Sequence, residues 1–261
     1  MDPLYFRENE SKGEDAIVFV IDGGISGWAW YPALQALTEY HCLAPDLPGH
    51  GKSAGITPFS LENSVEGLAE LIRTNVPSGR AAVVGISAGV AVSIGLSNRH
   101  PDLVEKMFLS GPTPRLGRIA VSITNTITPL FLSLLGSQRR AKFVARSMSL
   151  TDLTDDQFEA LREDLDNLTP ALGTQINDVV AGQADPHRNG PPTVVFVGEK
   201  EIGATKKRAR ALMKAMGNGR GYFVSGLGHG WVLEKPDLFY RAVRAWMSDA
   251  EPGEGFIPLP A

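Results

Sequence analysis

One stretch decides the fold: Val83-Val84-Gly85-Ile86-Ser87-Ala88-Gly89-Val90. An apolar run over residues 81–86 ends at a serine that has one glycine two residues before it and another two residues after it. Small residues then recur at helical spacing, which predicts a strand, a sharp turn with Ser87 at its apex, and a helix. Only glycine lets a strand and a helix pass so closely, and the helix N-terminus favours developing negative charge beside the serine. The pattern is typical of a nucleophilic serine at the carboxyl edge of a sheet.

Other apolar runs predict the rest of this sheet. Buried strands are expected over residues 16–21, 41–44, 106–109, 193–197 and 221–224, and a short strand over residues 4–6. Helices with one apolar face separate most of these runs, and Ser60 can cap the first turn of one of them. Alternating strands and helices predict an α/β fold with a doubly wound, mostly parallel sheet.

The alternation stops in the middle of the chain. Residues 113–189 contain no convincing buried strand, and helices are expected there over residues 119–135, 138–148 and 155–168. We therefore expect a core of residues 1–112 and 190–250 that carries residues 113–189 as a helical cap. The Pro/Gly-rich end, residues 251–261, is expected to be a mobile tail.

The composition narrows the class of protein. The chain has 261 residues, 43% of them hydrophobic, with a formal charge of -4 and one cysteine, Cys42. This acidic balance argues against a nucleic-acid partner and against anionic membranes. Residues 1–10 lack the layout of a signal peptide, and no apolar run is long enough to span a bilayer, so we expect a cytoplasmic protein without stable membrane anchoring. A homodimer is left open.

Cofactor motifs are not found in the sequence. No His, Cys and Asp cluster has the spacing of a metal site, so no metal is expected. The Gly23-Gly24 pair is followed neither by a dinucleotide-binding G-x-G-x-x-G nor by a Walker lysine, so no nucleotide cofactor is expected.

Five motifs in order carry a family resemblance. They are residues 22–24, 46–53, 85–89, 198–201 and 228–231. Together they resemble the α/β-hydrolase superfamily, over about residues 16–112 and 191–248. The resemblance implies an eight-stranded, mostly parallel sheet with an inserted helical cap.

The resemblance also implies three catalytic residues: the nucleophile Ser87, the acid Glu201 and the base His229, in the chain order typical of this fold. A serine hydroxyl attacks only when an imidazole removes its proton, and a carboxylate must hold that imidazole in the right tautomer. Family members usually have aspartate where Glu201 stands. Glu199, two residues earlier in the same loop, remains the competing acid.

An oxyanion hole is implied at two places. One donor is the backbone N–H of Ala88, and the second is expected from the Gly23-Gly24 turn, most directly from Gly24. The family typically has His-Gly here, whereas this chain has Asp22 before Gly23; lactonases that open the mycotoxin zearalenone resemble it in this Asp-Gly pair. We expect His50 to brace its own turn rather than to contact substrate.

These residues predict a cofactor-free serine hydrolase that cleaves an ester or lactone of a small, largely apolar molecule. An apolar lid over residues 119–132 is expected to line the pocket. Two alternatives remain open, namely hydrolysis of a carbon–carbon bond in a diketone-type substrate and a non-hydrolytic ligand-binding or isomerase role. Serine at the elbow argues against dehalogenase and epoxide-hydrolase chemistry, which use a carboxylate nucleophile.

Overall fold

The structure, a computed structural model, describes residues 2–11, 13–21, 24–115, 135–147, 150, 153–217 and 219–260. Its strands are β1 (Phe6–Glu8), β2 (Ala16–Val20), β3 (His41–Pro45), β4 (Ala81–Ile86), β5 (Val104–Ser110), β6 (Thr193–Gly198), β7 (Arg220–Val224) and β8 (Phe256–Pro258). They form one eight-stranded sheet in the order β1-β3-β2-β4-β5-β6-β7-β8. The six inner strands run parallel, and the two edge strands, β1 and β8, are antiparallel to their neighbours. The predicted eight-stranded, mostly parallel sheet is confirmed.

Helices cover both faces of the sheet. They are α1 (Tyr31–Ala36), α2 (Leu61–Asn75), α3 (Ala88–Arg99), α4 (Ser137–Ser147), α5 (Asp155–Asn167), α6 (Pro170–Ala181), α7 (Gly203–Ala215), α8 (Trp231–Glu234) and α9 (Pro236–Met247). Short 3-10 turns lie at Gly27–Trp30 and Gly51–Ser53.

Two hydrophobic cores lie on opposite faces of the sheet, because side chains alternate along a strand. In β2, Val18 and Val20 join the core that includes residues of α2, α3 and α7, while Ile17 and Phe19 join the core that includes residues of α1 and α9. Every residue of β2, β3, β4 and β6 is buried, which explains why these strands are continuous apolar runs in the sequence.

The two ends of the chain differ from the sequence-based expectation. The first strand begins two residues later than expected, at Phe6. The prediction of a mobile tail is wrong for its middle part, because Phe256–Pro258 pairs with β7 as the eighth strand. The ring of Phe256 packs against Trp231, and Leu259 is 4% exposed. This segment stabilises the sheet edge by burying those apolar side chains.

We call residues 113–189, between β5 and β6, the insertion. Within its described residues it contains helices α4, α5 and α6 and no strand. Helices α4 and α5 match two predicted helices within one residue at each end, whereas α6 was not predicted. The predicted helix over residues 119–135 lies almost wholly outside the described residues, and the division into core and cap stays a prediction.

Candidate active site

Ser87 lies at the sharp turn that joins β4 to α3. Its backbone has φ 55° and ψ -116°, in a region that non-glycine residues rarely occupy. A Cβ at Gly85 would lie 2.3 Å from Ser93 Oγ, and a Cβ at Gly89 would lie 2.4 Å from the Val20 carbonyl oxygen. The two glycines are therefore required by the close approach of strand and helix, as the sequence predicted.

His229 and Glu201 are brought together from two neighbouring loops, after β7 and β6. His229 Nδ1 lies 3.0 Å from Glu201 Oε2, and the other carboxylate oxygen accepts a hydrogen bond from the Gly198 N–H at 3.1 Å. The Glu201 side chain is 4% exposed and that of His229 is 27% exposed. A buried carboxylate held at both oxygens orients the imidazole.

Glu199, the competing acid, is held elsewhere. Its Oε2 accepts hydrogen bonds from the Gly226 N–H at 2.7 Å and from the Ser225 hydroxyl at 3.4 Å. It therefore fixes the turn that precedes His229, while Glu201 contacts the imidazole itself. Of the two acids that the sequence left open, the geometry pairs Glu201 with the histidine.

Gly111, directly after β5, lies against this histidine–carboxylate pair. A Cβ at this position would lie 2.7 Å from both Nδ1 and Cε1 of His229 and 3.4 Å from Glu201 Oε1. The residue also has a left-handed φ of 56°. Any side chain here would displace the imidazole, so Gly111 is a residue of the site that the sequence reasoning missed.

Ser87 and His229 line the same cavity of about 380 Å³. Its other lining residues, within the described ranges, are Thr113, Pro114, Ser147, Lys200, Glu201, Ile202, Thr205 and Gly228. The Thr113 hydroxyl lies 3.4 Å from the Ser87 hydroxyl, and the described lining is rich in hydroxyl groups. The apolar lid expected over residues 119–132 lies outside the described residues.

The expected oxyanion donors are arranged differently from each other. Ala88 is the first residue of α3, where a backbone N–H has no partner within the helix. The Gly24 N–H, in contrast, donates to His50 Nε2 at 2.8 Å. In this conformation the Gly24 N–H is therefore occupied by His50, so its role as an oxyanion donor stays a prediction, and Gly23 and Asp22 lie outside the described residues.

His50 braces its own turn, as the sequence led us to expect, and also holds the Gly24 turn. Its Nδ1 lies 2.8 Å from the Pro48 carbonyl oxygen, which can only accept, so Nδ1 carries the hydrogen and Nε2 accepts from Gly24. The side chain is 5% exposed.

The loop that follows Gly24 is held by two carboxylates. Asp46, which is fully buried, accepts hydrogen bonds from the Gly27 N–H and from Arg7 at 2.7 Å each. Asp164, on helix α5 of the insertion, accepts the Ser26 N–H and the Trp28 indole N–H through one oxygen, at 2.7 Å each. Burial raises the pKa of Asp164, whereas the hydrogen bonds from the loop lower it. The net effect is a raised pKa, because burial has the larger influence. Asp46 stands in a recognised motif, but nothing in the sequence singled out Asp164.

Neither a membrane-spanning helix nor a candidate metal site is found within the described residues. No helix in the described ranges combines the length and apolar character needed to cross a bilayer. The same ranges contain no group of three or more His, Cys, Asp or Glu side chains that could hold a metal ion.

The fold of the chain is similar to the folds of several solved structures. The fold is similar to that of MenH from S. aureus, with a TM-score of 0.76 at 16% identity, covering 95% of this chain and 99% of that one. It is also similar to the enol-lactonase from Burkholderia xenovorans LB400, with a TM-score of 0.71 at 21% identity, covering 94% and 96%. At these identities the likeness concerns the fold.

Sequence comparison adds relatives and a family. An AB hydrolase superfamily protein of Gibberella zeae is 27% identical over 98% of this chain and 88% of its own length. A pimeloyl-acyl-carrier-protein methyl ester esterase of Vibrio cholerae is 30% identical over 61% of this chain and 56% of its own length. The model of the alpha/beta hydrolase family matches residues 17–242, from β2 to α9. The chain belongs to the alpha/beta hydrolase family.

Proposed function

We propose that this protein is a cofactor-free serine hydrolase that cleaves an ester or lactone bond of a small molecule through an acyl-enzyme. The observation that carries the proposal is the pairing of His229 with the buried Glu201 in a cavity that Ser87 also lines. These are the three groups that acyl transfer requires, namely a nucleophile, a base and the carboxylate that orients the base.

The histidine's tautomer follows from its partner. A carboxylate only accepts hydrogen bonds, so Nδ1 of His229 carries a hydrogen toward Glu201 and the lone pair lies on Nε2. In the reaction, Nε2 takes the proton from Ser87 as its oxygen attacks the substrate carbonyl carbon. The imidazolium then gives that proton to the leaving alcohol, and a water activated by the same Nε2 hydrolyses the acyl-enzyme.

The oxyanion that forms in each step needs two donors. We assign the Ala88 N–H as the first, because it opens helix α3 beside the nucleophile and has the helix dipole behind it. The second comes from the loop at residues 24–28, and the Gly24 N–H can serve only after it leaves His50. A Cβ at Gly24 would meet no atom of the described residues within 4 Å.

We base the proposed substrate class on the chemistry of the site and on the activities named for the relatives. The relatives include an esterase that acts on a methyl ester, and one structure of the same fold is an enol-lactonase. Both bonds are carboxylic esters, which is the class we assign to this chain. A largely apolar substrate remains our proposal from the lid sequence.

The single cysteine, Cys42, is buried, and burial raises its pKa to about 12. We propose the cytoplasm as the compartment.

The test compares Ser87→Ala with Ser97→Ala, a second buried serine on helix α3. Both variants are assayed on p-nitrophenyl esters, on aliphatic and aromatic lactones, and on a vinylogous diketone. We expect Ser87→Ala to lower kcat at least about 1000-fold and Ser97→Ala to change it less than threefold. A Ser87→Ala variant that keeps its turnover would exclude the mechanism, and turnover of the diketone alone would assign carbon–carbon hydrolysis instead.

A further inference from the structure

The two ends of the loop at residues 24–28 are held by different numbers of hydrogen bonds. At the Gly24 end, among the residues that the structure describes, a Cβ would meet no atom within 4 Å and the backbone N–H donates to His50 Nε2. At the other end, two consecutive backbone N–H groups donate to two different carboxylates. Ser26 donates to Asp164 and Gly27 donates to Asp46, both at 2.7 Å.

These two carboxylates come from different parts of the chain. Asp46 follows β3 in the core and is also paired with Arg7. Asp164 belongs to helix α5 of the insertion, 138 residues away from Ser26. The insertion therefore supplies one of the two anchors of a loop that otherwise belongs to the core.

Asp164 binds the loop in a specific way. One oxygen, Oδ2, accepts both the backbone N–H of Ser26 and the indole N–H of Trp28. Charge-assisted hydrogen bonds of this length are stronger than neutral ones, and burying a carboxylate is costly unless it is so bonded. No cation within the described residues forms an ion pair with Asp164, so its hydrogen bonds are made to the loop rather than to an arginine or lysine.

We propose that Asp164 is a positioning residue for the oxyanion loop: from the insertion, it fixes Ser26 and Trp28 so that the Gly24 end of the loop is presented to the reacting carbonyl. The inference rests on the proposed function, because it concerns the same oxyanion. A displacement at Ser26 is passed to Gly24, two residues away, and a misplacement of about 1 Å costs on the order of 100-fold in rate.

A matched control lies on the same helix. Asp166 is two residues further along α5, and its partners Ser137, Arg140 and Arg162 all belong to the insertion. Replacing Asp166 therefore removes a hydrogen-bonded carboxylate from α5 without touching the loop.

The experiment measures kcat, KM and thermal unfolding for wild type, Asp164→Ala, Asp164→Asn and Asp166→Ala, with p-nitrophenyl butyrate as substrate. Asp164→Ala is expected to lower kcat about 10- to 100-fold with KM changed less than about threefold, because the donor acts on the transition state. Asp164→Asn keeps an oxygen acceptor and is expected to restore kcat to within about threefold of wild type. Asp166→Ala is expected to keep the wild-type kcat.

Equal kcat values for Asp164→Ala and Asp166→Ala, whatever their melting temperatures, would overturn the inference and leave Asp164 a purely structural residue. If Asp164→Ala does not fold, Trp28→Phe carries the test, since it removes one donor and keeps an aromatic ring. A kcat lowered at least about threefold at constant KM supports the inference, and an unchanged kcat overturns it. Failure of the proposed function is distinguishable, because the wild-type protein would then not hydrolyse the ester.

Discussion

Gly111→Ala is the substitution that most sharply probes the histidine–carboxylate pair. The added methyl group would lie 2.7 Å from His229 Nδ1 and Cε1, whereas carbon atoms in contact are separated by roughly 3.5–4.0 Å. The imidazole must therefore move by about 1 Å. A movement of that size can lengthen its 3.0 Å hydrogen bond to Glu201 to at most about 4 Å, which is beyond hydrogen-bonding range.

The expected loss of kcat follows from that displacement. Misplacing a catalytic group by about 1 Å costs on the order of 100-fold, and losing the carboxylate's control of the tautomer costs up to about 10,000-fold. We expect kcat of Gly111→Ala to fall between these limits. The left-handed φ of 56° adds a strain of about 1–2 kcal/mol to the folded state.

Gly79→Ala separates the clash from the strain. Gly79 has a φ of 67°, and a Cβ there would meet no atom of the described part of the chain within 4 Å. This variant is expected to lose a similar free energy of unfolding in denaturant titrations while keeping the wild-type kcat in an ester assay. A Gly111→Ala enzyme that keeps kcat within about threefold of wild type would refute the reasoning, as would equal losses of kcat in both variants.

Three further predictions concern the acid, the buried carboxylate and the last strand. Glu201→Gln should lower kcat by about 1000-fold or more, and Glu199→Gln by less than about threefold, because only Glu201 contacts the imidazole. Steady-state kinetics with an ester substrate measure both values. A larger loss of kcat in Glu199→Gln would contradict the assignment. The pKa of Asp164 is raised by burial and by the charge of Asp46, so at pH values between the ordinary aspartate pKa and the raised one the folded state holds a proton that the unfolded state has already lost. Wild-type stability should therefore fall as pH rises from the ordinary aspartate value through the raised one. The free energy of unfolding of Asp164→Asn relative to wild type should increase over that window and then level off; a difference independent of pH in urea titrations would contradict this. Leu259→Ala, behind β8, should lower the free energy of unfolding by about 2–3 kcal/mol, and a change below about 0.5 kcal/mol would mean that this segment does behave as a tail.

Much of the fold could be predicted because its signals are local. The inner strands are buried on both faces, so each is a short apolar run, and the turn around Ser87 carries its two glycines in sequence. The roles and the order of Ser87, Glu201 and His229 were expected from the resemblance to the α/β-hydrolase superfamily. Helix α6 had a local signal, Thr169-Pro170 at its first turn, that was not used.

The remaining features depend on contacts between distant residues. The strand at Phe256–Pro258 is three residues long and ends in proline, so only its pairing with β7 defines it. The choice between Glu199 and Glu201 depends on which carboxylate reaches the imidazole, and both follow the same strand. The contact between Asp164 and Ser26 joins two segments that share no sequence pattern.

The central claim is that Ser87 becomes a nucleophile through His229, and labelling with a fluorophosphonate tests it directly. Mass spectrometry of the wild-type protein should detect one covalent adduct, located on the peptide that contains Ser87. The adduct should be absent in Ser87→Ala and formed at least about 100-fold more slowly in His229→Gln. A folded wild-type protein that takes up no label, or that carries it on another serine, would contradict the account.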